Sequence, residues 1–278
     1  MMYNYLWFFL IYSFGGWIAE VMFHAVHMGK VINRGFLLGP VCPIYGFGLV
    51  FIVKVYGLFE FGLIGSFVIG IVLATLIELI GGYLLYELFG ARWWDYSDKK
   101  FQLGGFICLE FSLIWGFAAT FIVKLVHPAV VSFVERFLSG MVGWCFAVIL
   151  SLIYVVDLVI TVITVNRFNA DLRALNDLAN GIKHVSDNLS EVIGGNTLQS
   201  AQYIDEQRVQ AALFKAEVRD DMSEAYNDAV KKMCNLKNKM MKRRFLGEYR
   251  LLRAFPRMQH RKYKFALKEI MDNIWRET

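Results

Sequence analysis

NRGFLLGPVCPIYGFG, residues 33–48, is apolar enough to enter a membrane, yet Gly35, Gly39, Pro40 and Pro43 interrupt any helix that begins within it. Proline removes a backbone donor and glycine is entropically costly in a helix, so the stretch reads as a span with a broken beginning. Broken backbone is tolerated at membrane depth only where the freed N–H and C=O groups meet protein or water. Three arrangements meet that condition: a protein-lined cavity, a packed re-entrant turn, or a proline in the first turn of the helix, where its missing donor costs nothing.

The chain around this stretch is of the same kind for its first 165 residues. The 278-residue sequence is 57% hydrophobic and 16% aromatic, whereas a soluble domain is about one quarter charged. Residues 1–165 hold 8 of the 29 Lys and Arg and 9 of the 24 Asp and Glu, and residues 166–278 hold the others. The expected fold class is therefore all-α: a polytopic membrane protein over residues 1–165, followed by a basic helical tail over residues 166–278. Apolar runs near residues 3–26, 37–59, 62–89, 104–126 and 140–165 are each long enough for a hydrocarbon core of about 30 Å, which predicts five spans. Residues 127–138, short and opened by Pro128, are expected to lie along the interface. The N-terminus lacks a basic leader and reads as the first retained span. Lys30 and Arg34, then Arg92, Lys99 and Lys100, then the tail fall on one side of this threading. The positive-inside rule makes that side the cytoplasm of a cell membrane and places the N-terminus outside. Cys42, Cys108, Cys145 and Cys234 form no CxxC pair, so neither a disulfide framework nor a zinc knuckle is supported.

Three runs stand in order: GGWIAE (residues 15–20), the opening stretch, and YELFGARWWDYSDKKFQLGGFICL (residues 86–109). Together they resemble, over about residues 10–120, the bacterial membrane family described as putative ABC-transporter type IV, the CmpB-like permeases. The resemblance implies a permease-like protein with Glu20, Asn33, Arg34, Gly39, Pro40, Cys42, Pro43, Tyr45, Gly46, Glu87, Trp94, Asp95 and Tyr96 on motif positions. The chain reads Gly104, Gly105 and Phe106 where the family pattern carries Asn-Gly-Arg, so an anion contact by that arginine is not expected. Within the tail, RLLRAFP (residues 250–256) is the part most like the family.

A carboxylate within a span costs several kcal/mol unless it is paired, hydrated or protonated. Counted along the helices from the basic side, Glu20 and Glu110 would lie about 9 Å deep, Asp157 about 12 Å and Glu78 about 16 Å. Four acids on four spans could line one cavity suited to a cation or proton path, with Arg34 and Arg92 at its mouth; the alternative is neutral acids hydrogen-bonded between helices. Glu20, His24 and His27 share one helix face and could hold zinc with one open position, or be simply interfacial. In the WDY run, Asp95 is expected to pair with Arg34 or to cap a short helix, fixing the two motifs against each other.

From Phe168 to Val192 apolar residues recur at steps of three and four, extending the fifth span as a helical stalk that ends near Gly194. A second stripe from Met222 to Met240 predicts a hairpin partner or a coiled coil. Residues 231–264 carry 13 Lys and Arg against Glu248 alone. Lys242, Arg243, Arg244, Arg250, Arg253 and Arg257 are thus candidates to bind anionic lipid first, an acidic protein second and nucleic acid last. There is no GxxxxGK[ST], HExxH or GxSxG, so neither an enzyme nor a cofactor is implied. The sequence predicts a permease subunit whose ATPase is another chain, with a homo-oligomer or partner permease beside it. The competing reading is a membrane-anchored scaffold or sensor that uses its basic tail.

Overall fold

A computed structural model describes residues 2–29, 31–194, 207–242 and 248–276. Helix α1 (Met2–Met28) runs to Gly29, whose positive φ of 66° ends it. Residues 31–42 are irregular, and Pro43 then occupies the first turn of α2 (Pro43–Tyr56). Helix α3 (Leu63–Phe89) stops at Gly90, left-handed at φ 65°, whose N–H closes on the carbonyl of Tyr86. Helix α4 (Leu109–Phe121) passes through a π-turn at Ile122–Val126 into α5 (His127–Phe137). After a short turn, α6 runs unbroken from Met141 to Gly194.

Among the described residues four helices are long and apolar enough to cross a bilayer: Tyr3–Val26, Leu63–Phe89, Leu109–Phe137 and Met141–Ser186. Two expectations change here. The second span, expected over residues 37–59, is helical only in α2, whose 14 residues cover about 21 Å. Leu37 to Cys42 are apolar but stay out of the helix. Residues 127–138, expected at the interface, instead continue the fourth span. The π-turn makes this possible: the N–H of His127 reaches back to the carbonyl of Ile122, and this wide turn absorbs the donor that Pro128 lacks.

Glycines set the helix crossings. A Cβ on Gly46 would lie 2.1 Å from Ser13 Oγ and 2.8 Å from the Phe9 carbonyl, and one on Gly116 would lie 2.3 Å from Ile71. Helices α1 and α2, and α3 and α4, therefore approach to backbone contact. Around these crossings Trp7, Phe8, Tyr12, Ile52, Tyr56, Ala119, Val134 and Ala147 form one core.

A second core joins the membrane helices to the tail. Phe89 and Trp93 pack with Val165, Phe168, Leu172 and Leu175 of α6 and with Leu251, Leu252, Ile270 and Ile274. These last belong to α8 (Glu248–Ala254) and α9 (Lys264–Arg276), while α7 (Gln207–Lys242) lies along α6 and adds Met240. Thus the boundary at residue 165 follows charge but not packing. A two-residue strand, β1 (Ala91–Arg92), pairs antiparallel with β4 (Gln259–His260) of the tail, and β2 (Gln102–Leu103) pairs with β3 (Ile107–Cys108) in a hairpin.

Candidate functional site

The irregular loop at residues 31–42 is a turn held by hydrogen bonds from within and from three other helices. Asn33 organises it from within: its Oδ1 accepts the Gly35 N–H at 3.0 Å and the Trp17 indole at 2.7 Å, and its Nδ2 donates to the Leu38 carbonyl at 2.9 Å. The N–H groups of Leu38 and Gly39 donate to the two oxygens of Asp157 at 2.9 and 2.7 Å. On the other side Arg250 of α8 donates to the carbonyls of Gly35, Phe36 and Leu37 at 2.8–2.9 Å. The Cys42 N–H donates to the Ser13 carbonyl, which ties the end of the loop to α1. The Cys42 thiol is free and buried.

The two motifs meet, but through rings rather than the expected ion pair. Phe36 packs edge-on against Trp93 at 4.9 Å, and Trp93 packs against Phe255 of the tail at 5.0 Å. Arg34 turns away from Asp95 to Glu20, 3.5 Å off. Asp95 instead closes a local turn: its Oδ1 accepts from Ser97 Oγ at 2.6 Å, the Ser97 N–H at 3.2 Å and Arg92 at 3.1 Å, and its Oδ2 accepts from Gln259 of the tail. Burial works against the Asp95 charge, but the Ser97 and Arg92 hydrogen bonds outweigh it and hold its carboxyl below the usual range. Gly105 fits beside this turn because a Cβ there would fall 2.5 Å from Asp95 and 2.6 Å from Arg92. Trp94 donates to the Phe106 carbonyl.

The four expected carboxylates divide. Glu20 accepts the Tyr45 hydroxyl at 2.5 Å, and Glu78, 8% exposed, accepts the Tyr96 hydroxyl at 2.9 Å. Tyr45 packs edge-on against Trp115 and Tyr96 stacks on Phe111, so each acid sits at the end of an aromatic contact. Asp157 belongs to the loop. Glu110, expected beside them, faces outward on the first turn of α4 and pairs with Lys99 at 2.9 Å while 56% exposed. An acid in the first helical turn is favoured there by the helix dipole, which is reason enough for its position. A cleft of about 740 Å³ lies between the Asp95–Asp98 turn and the tail residues Arg257, His260, Lys264 and Lys268.

Among the basic candidates, Arg250 is spent on the loop rather than on lipid, because three carbonyls with no helical partner face it. Arg257 pairs with Asp98 at 3.1 Å and Arg253 lies over the Tyr249 ring. Glu87 meets Arg261 at 3.8 Å in an exposed pair. Pro40 is exposed at the turn. Arg243, Arg244 and the side chains of Lys242 and His27 lie outside the described residues. His24 is buried, and among the described residues no three His, Cys, Asp or Glu converge as a metal site. Sequence reasoning missed Trp115, Ser97 and Gln259. Trp115 sits in an unremarkable apolar run, and Gln259 is neutral within a basic tail, so neither residue type announces a role.

The family model described as putative ABC-transporter type IV matches residues 7–162, which takes in α1 to α5 and the membrane half of α6. No curated protein and no solved structure matches the chain.

Proposed function

This chain belongs to the putative ABC-transporter type IV family, and from that premise we propose that it is the permease-like subunit of a transporter whose ATPase is a separate chain. The observation that carries this reading is the double hold on the loop at residues 31–42. Asp157, within the last membrane helix, grips its N–H groups, while Arg250, on the tail, grips its carbonyls. A partner that shifts the tail must therefore shift the loop, and through it α6 and α2. That is the linkage a permease needs in order to receive work done by an ATPase in the cytoplasm. The partner's docking surface would be the Asp95–Lys100 turn with the tail beside it.

The second reading, a membrane-anchored scaffold or sensor, is favoured by the size of the core that the tail shares with the membrane helices. Affinity purification from native membranes in mild detergent separates the two. A stoichiometric nucleotide-binding chain, lost with Asp95→Ala and kept with Glu78→Ala, is the expected result. Recovery of the intact protein with no ATPase at any expression level transfers the case to the scaffold.

A further inference from the structure

Glu78 is a buried acid on a membrane helix with no ion pair among the described residues. It is 8% exposed on α3, and its Oε2 has no hydrogen-bond partner among the described residues. The groups that face it are neutral donors and an acid: Tyr96 from the loop, Trp115 from α4 and Glu20 from α1. Arg34, the cation beside Glu20, is paired to it at 3.5 Å. Thr75, one turn earlier on the same face of α3, also has a buried hydroxyl with no partner among the described residues.

The two acids have different partners: Glu20 faces the Arg34 guanidinium and the Tyr45 hydroxyl, and Glu78 faces the Tyr96 hydroxyl with no ion pair among the described residues. Ionised Glu78 would be a buried carboxylate without a paired cation, whereas its neutral form leaves at most one O–H imperfectly paired, which is the smaller penalty. With Oε1 taken by the Tyr96 hydroxyl, Oε2 is the oxygen that carries the proton, on the face it shares with Thr75.

We propose that Glu78 is a proton-binding site coupled to the seating of the tail through the Tyr96–Asp95 dipeptide. Tyr96 donates to Glu78 while its neighbour Asp95 is held by Gln259 of the tail. Departure of the proton would leave a carboxylate that draws Tyr96 inward and pulls on the Asp95 turn; release of the tail would loosen Tyr96 and admit water to Glu78. What such a proton drives rests on the transport reading above, but its presence on Glu78 does not.

The test uses the full chain in lipid nanodiscs and infrared difference spectra recorded through a pH titration, without partner or substrate. The expected result is a neutral-carboxyl C=O band near neutral pH that disappears in Glu78→Gln and persists in Glu20→Gln. Loss of the hydroxyl donor in Tyr96→Phe should move that band to higher frequency. Gln259→Ala should weaken proton binding about tenfold, the effect of roughly one hydrogen bond. A band indifferent to both Glu78→Gln and Tyr96→Phe overturns the site, as does a carboxylate signal that responds to Na⁺ or K⁺ in its place. An unchanged titration in Gln259→Ala overturns the coupling. Should Glu78→Gln fail to fold, the Tyr96→Phe shift decides the matter. A proton on Glu78 with no copurifying ATPase would sink the transport reading and leave this site standing.

Discussion

Asp157 shows how one side chain can make an unlikely stretch of backbone stable. Its two oxygens satisfy two adjacent N–H groups of the loop, and Thr161, one turn on, adds its hydroxyl at 3.3 Å. Leaving two such groups unpaired costs about 1–3 kcal/mol each. Asp157→Ala is expected to lower stability by about 2–5 kcal/mol in thermal unfolding followed in detergent, and Asp157→Asn, which keeps one acceptor oxygen, by about half as much. An Asp157→Ala protein as stable as the parent would mean that the loop is held by Arg250 alone. Arg250 itself is not replaceable by lysine, since a planar fork reaches three carbonyls and a single ammonium does not.

At the scale of elements, glycine decides how closely the helices come. Gly46→Ala places a methyl against Ser13 and the Phe9 backbone, so α1 and α2 must separate, at a cost of about 1–3 kcal/mol. Gly65→Ala in α3, where the nearest atom would be 3.7 Å away, should be neutral or stabilising, because alanine is the better helix former. Equal melting temperatures for the two variants would show that the crossing is not set by Gly46. The β1–β4 clip carries a pH dependence. His260 is buried, and its Nδ1 accepts the N–H groups of Lys262 and Tyr263, each at 3.1 Å. Burial, aided by the charge of Lys262, holds its pKa below the ordinary value, which is about 6.5. The unfolded chain therefore binds the proton more readily, so the stabilisation is complete above about pH 6.5 and declines as the pH falls through that value toward the depressed folded one. Amide exchange at residues 259–263 should slow less on moving from about pH 7.5 to about pH 5.5 than the fall in the base-catalysed intrinsic rate requires, and the excess marks the weakened clip. His260→Gln should remove that excess; if it does not, another group is titrating.

The whole molecule explains which parts of this could be read in advance. Long apolar runs announce spans because a bilayer demands about 20 such residues whatever surrounds them, and α1, α3 and α6 lie where the sequence put them. Hydropathy could not see that Leu37 to Cys42 leave the helix, since their exit is fixed by Asp157 and Arg250, more than a hundred residues away. Nor could it place the tail. Its 13 basic residues in 231–264 dominate any sequence reading, while the apolar faces of α8 and α9 do not say what they cover. In the structure they cover Trp93, Phe89 and the far half of α6, and Lys237 of α7 pairs with Glu269 of α9. Leu251, Leu252, Ile270 and Ile274 are all but fully buried there. At about 1.5–3 kcal/mol each they represent about 6–12 kcal/mol of gross burial. Deleting residues 248–278 should accordingly expose the Phe89–Trp93–Phe168 face and leave the carbonyls of Gly35 to Leu37 without Arg250. The shortened protein is expected to elute as aggregate in size-exclusion chromatography, in detergent that keeps the full chain monodisperse. If it elutes as a sharp peak with the parent's melting temperature, the tail is an appendage, and the shared core contributes nothing to the stability of the membrane half.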